Sequence, residues 1–319
     1  MKTILITGAS GFIGYALAAA LAKDYTIIGL YNRNKPGSDE TIIWEKIDLL
    51  STGEVNALIR QYSPDIIIHC AAIAHQGVLK ADKRRYFEVN STATMNLAIA
   101  ASELNTTTHF IFLSSISVYG ETRLALPVNE SHVCRPTGDY GKSKRDAEER
   151  LLDLYQDNNE HLLTILRLAP VYDKHWSVNL DRRVQTPLKW AYLKYGSGTQ
   201  QMSAIARPNV VDFVKFVLLN PYGYKKTGSI INVTDRDSYT FNDIIDTFLK
   251  SRTHPVRPVI QIPEYSIFLL TRIIGLMVSS KKDWIHGCYE KLASSLIFDN
   301  NKMLEKGFMP KHDLKTIFL

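Results

Sequence analysis

The sequence predicts an α/β chain, with a doubly wound parallel sheet in front and a smaller, less regular part behind. Two observations carry this. Short β-branched apolar runs alternate with longer helical patterns through the first half, and a glycine-spaced turn joins the first run to the first helix. Strands and helices alternating at this spacing imply right-handed βαβ crossovers and a sheet covered on both faces.

In order, Thr3–Thr7 is the first strand, followed by a helix from Phe12 to Lys23 and a strand from Tyr25 to Leu30. A helix near Thr52–Tyr62 leads to a strand at Asp65–His69, and a long helix near Phe87–Leu104 leads to one at His109–Leu113. A helix from Tyr140 to Asn158 leads to a strand at Leu163–Leu168. After Leu168 the rhythm degrades. Residues 169–207 are rich in Trp, Tyr, Gly and Gln without a clear period. Ile230–Val233 reads as one more buried strand and Phe241–Lys250 as a helix. A Pro-rich connection (Pro255, Pro258, Pro263) and an apolar stretch from Ile267 to Val278 then precede the last segment. The expected division is a dinucleotide-binding domain over 1–168, with returning segments near 208–234, and a substrate-binding subdomain over 169–207 and 235–319. No internal repeat or low-complexity tract interrupts it.

The chain has 319 residues, enough for one large domain or two closely joined ones. Its +6 net charge and pI near 9.0 come from dispersed groups, the densest being Lys83-Arg84-Arg85, Lys225-Lys226 and Lys281-Lys282. A mildly basic surface, or a basic cleft for a phosphate-bearing substrate, fits better than nucleic acid. Cys70, Cys134 and Cys288 are too few and scattered for a disulfide framework or a zinc site, so no metal is expected and a reducing, cytoplasmic compartment is. The stretch Ile267–Val278, broken by Arg272 and Gly275, is too short for an integral membrane span. It reads as a buried or groove-lining helix, with membrane-surface contact as the lesser reading.

The turn reads Gly8-Ala9-Ser10-Gly11-Phe12-Ile13-Gly14, placed after a strand and opening a helix. Gly8 permits the tight turn, Gly11 lets backbone approach a pyrophosphate, and Gly14 lets the helix pack on the sheet. The helix N-terminus adds N–H groups and partial positive charge. Strand context turns a weak motif into a dinucleotide site in a Rossmann-type core. The second strand ends Tyr31-Asn32-Arg33, without the Asp or Glu that an NAD site places on the ribose 2′-hydroxyl. Arg33 can pair with a 2′-phosphate, so NADP is favoured slightly over NAD.

Tyr140 and Lys144 lie four residues apart on a predicted helix and so share a face. A free tyrosine, with a pKa of ~10, is a poor base at neutral pH, and a neighbouring ammonium is expected to lower it. Ser115 stands at the carboxyl end of the strand His109–Leu113, where open parallel sheets gather ligands.

With Ser115…Tyr119-Gly120, His69-Cys70-Ala71-Ala72, Asn90 and Arg167-Leu168-Ala169-Pro170-Val171-Tyr172, the chain resembles the extended short-chain dehydrogenase/reductase family. Within that family it resembles the nucleotide-sugar epimerase/dehydratase branch. The resemblance covers nearly the whole chain and is strongest before residue ~170, about the length of one such domain. It implies Ser115, Tyr140 and Lys144 as the catalytic set, with Lys144 also on the nicotinamide ribose. Gly8 to Gly14, Arg33, Asp48, Leu49, Ala71, Ala72, Asn90, Pro170 and Val171 would line the cofactor, while Ser115 and Asn179 would touch the sugar substrate.

The resemblance also implies hydride chemistry at carbon 4 of a nucleotide-activated, UDP-linked and N-acetylated sugar, of the kind used in polysaccharide biosynthesis. The family's dehydratases carry an Asp-Glu pair where this chain has Ile116 and Ser117, which argues against 4,6-dehydration. A 4-keto reductase is preferred to a 4-epimerase with retained NAD. The rivals are a non-catalytic dinucleotide-binding sensor and a reductase of a non-nucleotide carbonyl. Family members usually place an arginine for the diphosphate where this chain reads Gln200-Gln201-Met202-Ser203-Ala204-Ile205-Ala206-Arg207; Arg207 is displaced from that position, which leaves Arg182, Arg183 or Arg236 to substitute. A homodimer is a further expectation, common in the family.

Overall fold

Thr3–Thr7 (β1), Thr26–Tyr31 (β2), Ile66–His69 (β4), His109–Ser115 (β5) and Leu162–Leu168 (β6) are near-continuous apolar runs that bury almost every residue. A parallel sheet covered on both faces requires that pattern. The computed structural model describes residues 1–37, 39–74, 82–120, 124, 126–156, 161–186, 188–220, 229–263, 265–266 and 294–319. The stretch Ile267–Val278, both lysine pairs at 225–226 and 281–282, Cys288 and the end of the predicted helix at 157–158 lie outside these residues.

With Ile42–Lys46 (β3) and Ser229–Val233 the strands form one seven-stranded sheet. Its order is Ser229–Val233, β6, β5, β4, β1, β2, β3. All five pairings among β1 to β6 are parallel. The order reverses between β1 and β4, the switch point at which open α/β sheets bind ligands beyond their carboxyl ends. β3 is a strand that the apolar pattern misses. It is the edge strand, and only Ile42 of its five residues is buried.

Helices Phe12–Leu21 (α1), Thr52–Tyr62 (α2), Lys83–Phe87 (α3), Ala93–Ser102 (α4) and Asp139–Gln156 (α5) belong to the same unit as β1 to β6. The long helix expected near Phe87–Leu104 is α3 and α4, joined through a π-helical turn at Glu88–Thr92. Such turns commonly mark functional sites. The core of this unit packs Leu5, Ile28, Ile67, Phe110, Phe112 and Ile165 of the strands against Leu97, Leu151 and Tyr155 of α4 and α5.

The chain divides into two compact units, residues 1–120, 130–168 and 210–232 against residues 121–129, 169–209 and 233–319. The second holds Val178–Val184 (α6), the start of Arg207–Leu219 (α7), Phe241–Lys250 (α8), and strand pairs of two to four residues. Strand Tyr192–Tyr195 pairs in parallel with Val259–Ile262. Its aromatic core comprises Tyr172, Tyr192, Phe241, Phe248 and Phe318. Thr240 and Asp243 close a capping box on α8.

A Cβ on Gly14 would sit 2.3 Å from the Gly8 carbonyl oxygen, whereas one on Gly53, in the first turn of α2, meets nothing within 4 Å. Gly14→Ala is therefore expected to cost about 1–3 kcal/mol through forced backbone displacement. Gly53→Ala should gain about 0.5–1 kcal/mol through lost unfolded-state entropy. Urea unfolding of both variants checks this, and equal effects would show that the close approach of α1 to its loop is not enforced.

Candidate active site

The turn between β1 and α1 is shaped by backbone contact. Gly8 has φ +62°, and a Cβ there would fall 2.9 Å from the Cα and N of Ala71. The Ala9 N–H donates to Leu30 O at 3.0 Å and the Gly11 N–H to Gly8 O at 2.8 Å. Gly11 precedes α1 without a side-chain cap, and no acidic residue lies in the first turn. Neither a side-chain cap nor a carboxylate therefore competes with an anion for that helix end. This cradle fits the pyrophosphate of a dinucleotide.

Beneath the cradle runs a chain of hydrogen bonds whose direction can be worked out. The Ala71 N–H donates to Thr7 Oγ1 at 3.1 Å, and Thr94 Oγ1 donates to Asn90 O at 2.9 Å. His69 stands between the two threonines, with Nδ1 2.8 Å from Thr7 Oγ1 and Nε2 2.8 Å from Thr94 Oγ1. The Thr94 proton is used on Asn90 O, so Nε2 carries the histidine proton and Nδ1 accepts from Thr7. Burial, and then the Lys144 charge, hold the His69 pKa down to about 3, which keeps the ring neutral. β1, β4 and the π-turn are thereby tied in one line.

Asn90 sits in that π-turn, fully buried. Its Oδ1 accepts from Ile73 N at 2.8 Å, and its Nδ2 donates to Ile73 O at 3.1 Å and Ser143 Oγ at 3.0 Å. It holds the loop after β4 against α5.

Tyr140, Lys144 and Glu148 follow one another at helical spacing along α5. Ser115 is the neighbour whose hydroxyl favours the ionised form of Tyr140. Ser115 ends β5 and caps the short 3-10 turn Ile116–Tyr119, with its Oγ accepting from Ser117 N at 3.2 Å. Lys144 is 1% exposed, and its Nζ donates to Leu113 O at 2.8 Å and lies 4.5 Å from the Phe112 ring centre. Burial depresses its pKa to about 8, against the upward pull of Cys70 and Glu148. The ammonium therefore persists at neutral pH.

The phenol behaves otherwise than the spacing suggests. Burial raises the Tyr140 pKa, the Ser115 hydrogen bond lowers it, and Tyr86 raises it further. Desolvation outweighs the help expected from the lysine.

Glu148 carries no exposed surface. It accepts from Arg167 Nε at 3.0 Å and Nη2 at 2.7 Å, and from Ser114 Oγ at 2.6 Å. Residues from α5, β5 and β6 thus meet on one carboxylate. Sequence reasoning passed over this group, although Glu148 continues the Tyr140–Lys144 spacing.

The remaining expected residues are placed as follows. Arg33 is exposed just beyond β2. Asp48 is exposed, its Oδ1 accepting from Leu50 N at 3.0 Å, while Leu49 O accepts from Asn96 Nδ2 at 3.0 Å. Ser10 is exposed, Phe12 and Ile13 begin α1, and Ala72 is exposed beside the part-buried Ala71. Pro170, Val171 and Asn179 belong to the second unit and are part-buried. There Arg207 forms an ion pair with Asp173, and Met202 is buried. Among the described residues no group of His, Cys, Asp or Glu could hold a metal ion, and no helix is long and apolar enough to cross a membrane.

The model of the NAD dependent epimerase/dehydratase family matches residues 4–234. The chain belongs to this family. A UDP-glucose 4-epimerase of Vibrio cholerae is 31% identical over 73% of this chain and 71% of its own length. An N-acetyl-alpha-D-glucosaminyl-diphospho-ditrans,octacis-undecaprenol 4-epimerase of Escherichia coli O157:H7 is 26% identical over 98% of this chain and 91% of its own. The solved UDP-glucose 4-epimerase of Brucella ovis in complex with NAD superposes with TM-score 0.75 at 20% identity, covering 99% of this chain and 96% of that one, and shares the fold. This family member is an enzyme of the short-chain dehydrogenase/reductase type.

Two stability outcomes follow from the buried charges. Glu148→Ala leaves Arg167 charged and uncompensated and should cost about 3–5 kcal/mol in urea unfolding; a loss below 1 kcal/mol, about a surface pair's worth, would sink that account. Lys144 has a folded pKa of about 8, below its ordinary 10.5. Between those values the unfolded chain holds a proton that the folded chain has released, so stability rises with pH on this account. Relative to Lys144→Met, the wild type should gain up to about 3 kcal/mol across that window. A difference independent of pH would contradict it.

Proposed function

We propose that this enzyme epimerises carbon 4 of an N-acetylated, UDP-linked hexose, with NAD held through the cycle. The observation that carries the reading is Tyr140 one turn of α5 from the buried Lys144, whose ammonium is fixed on β5 at Leu113 O, the strand that ends in Ser115. Tyr140 takes the proton of the sugar's 4-hydroxyl and later returns one to the 4-keto oxygen, while Ser115 holds that oxygen. The nearby positive charge of Lys144 favours the phenolate that accepts this proton. NAD on the glycine cradle would supply the acceptor for the carbon-4 hydride and, once reduced, the donor that returns it to the opposite face.

Ile116 is buried and the Ser117 hydroxyl is hydrogen-bonded to Ser115, so neither supplies the acid or base that 4,6-dehydration needs. The sequence favoured a reductase because a carboxylate is missing after β2. Relatives named as 4-epimerases, one matched over 98% of the chain, weigh more than that one missing residue. The solved UDP-glucose 4-epimerase of Brucella ovis, which is in complex with NAD, moves the cofactor reading from NADP to NAD.

Incubation with UDP-N-acetylglucosamine, without added reductant, should yield the galacto isomer by NMR. Tyr140→Phe should slow this by about 10²–10⁴-fold, the usual worth of a general acid–base group. Stoichiometric NADPH oxidation on a 4-keto sugar nucleotide, without interconversion, would overturn the reading in favour of a reductase. A second reading replaces UDP by a polyprenyl diphosphate. It is favoured by the Escherichia coli relative and by Arg207 being committed to Asp173. The same assay on the lipid-linked sugar distinguishes the two.

A further inference from the structure

α6 has two opposed faces. Ser177, Asp181 and Gln185 recur every four residues and line a cavity of about 270 Å³ with the 253–257 segment. Asn179 is two positions from Asp181, about 200° around the helix, and is not part of the lining. The cavity is therefore separate from the face assigned to the sugar diphosphate.

Its charge is one-sided. Lys174, Lys189 and Arg257 line it against a single carboxylate, Asp181. A phosphate supplies the negative charge that this lining lacks.

Around the cavity the chain exposes large apolar side chains. Trp176 is 40% exposed, Leu188 84%, Trp190 56% and Val256 81%, and each is the immediate chain neighbour of a lining residue. Between Leu188 and Trp190, Lys189 adopts φ +56°, uncommon for a residue with a side chain, and its N–H donates to Thr186 O at 2.8 Å. Tryptophan and aliphatic groups interspersed with lysine and arginine make up the composition that lies in a bilayer interface.

We propose that this face of the second unit docks on an anionic lipid bilayer, with a phosphoglycerol headgroup in the cavity and Leu188, Trp190 and Val256 in the interface. The headgroup phosphate meets Lys174, Lys189 and Arg257. The docking is independent of the reaction assigned above and of whether the sugar carrier is a nucleotide.

Sedimentation with vesicles tests it. The full chain is expected to pellet with phosphatidylglycerol-containing vesicles and to stay in solution with pure phosphatidylcholine, its binding weakening as salt screens the charges. Lys189→Glu, a change of two charges, should weaken binding on the order of 30-fold. A combined Leu188→Ser and Trp190→Ser variant should abolish binding, and Lys23→Glu in the exposed turn after α1 should leave it unchanged. Melting curves establish that each variant is folded, and the wild-type measurement decides without them. Failure to bind the anionic vesicles overturns the proposal, as does an equal loss in Lys23→Glu. Binding of glycerol 3-phosphate in solution without vesicle binding overturns it too, assigning the cavity to a soluble phosphate ester.

Discussion

The reactive end of α5 depends on a carboxylate that never meets water. Glu148 is held by two Arg167 nitrogens from β6 and by Ser114 from β5, so the helix cannot slide or turn without stranding a buried charge. Burial of an unpaired ion costs several kcal/mol, and that penalty is what enforces the register. One turn earlier, Lys144 Nζ is fastened to Leu113 O, and one turn earlier again the Tyr140 hydroxyl reaches Ser115. Three consecutive turns of one helix are thus read out against one strand, β5, at Ser114, Leu113 and Ser115. Glu148 also supports the Lys144 charge, so the structural anchor and the electrostatics of the reactive pair are the same group.

The cofactor side depends on close approach instead of charge. Gly8 and Gly14 remove side chains where backbone must touch backbone, and the line from Ala71 through Thr7, His69 and Thr94 to Asn90 fixes what those glycines bring together. A neutral histidine accepting on one nitrogen and donating on the other suits that position, and its depressed pKa keeps it so. The π-turn at Glu88–Thr92 lets Asn90 face both the loop after β4 and Ser143 on α5. Cradle and reactive helix are joined through that one side chain.

Most of this sheet was legible because buried parallel strands are written as uninterrupted β-branched runs. β3 was not, since an edge strand with one buried residue has no such signature. The break between α3 and α4 was also hidden: a π-turn changes hydrogen-bond partners without changing the apolar rhythm enough to read. In the second unit the paired segments are two to four residues long, below the length at which alternation identifies a strand. Single-residue chemistry divided similarly. Motif and spacing single out Gly8, Ser115, Tyr140 and Lys144 as candidates, whereas they do not reveal that Asn90 joins the loop after β4 to Ser143 of α5.

Tyr140 shows why spacing alone misjudges reactivity. A lysine four residues away suggests a lowered pKa, but the same burial that brings the lysine close removes water from the phenol, and in this state desolvation prevails. The phenol is therefore a hydrogen-bonding partner of Ser115 before it is a base. Turning it into one requires that the phenolate gain more from a neighbouring positive charge than it loses by leaving water. Lys144, buried yet still protonated below about pH 8, holds such a charge where low polarity makes it felt most strongly.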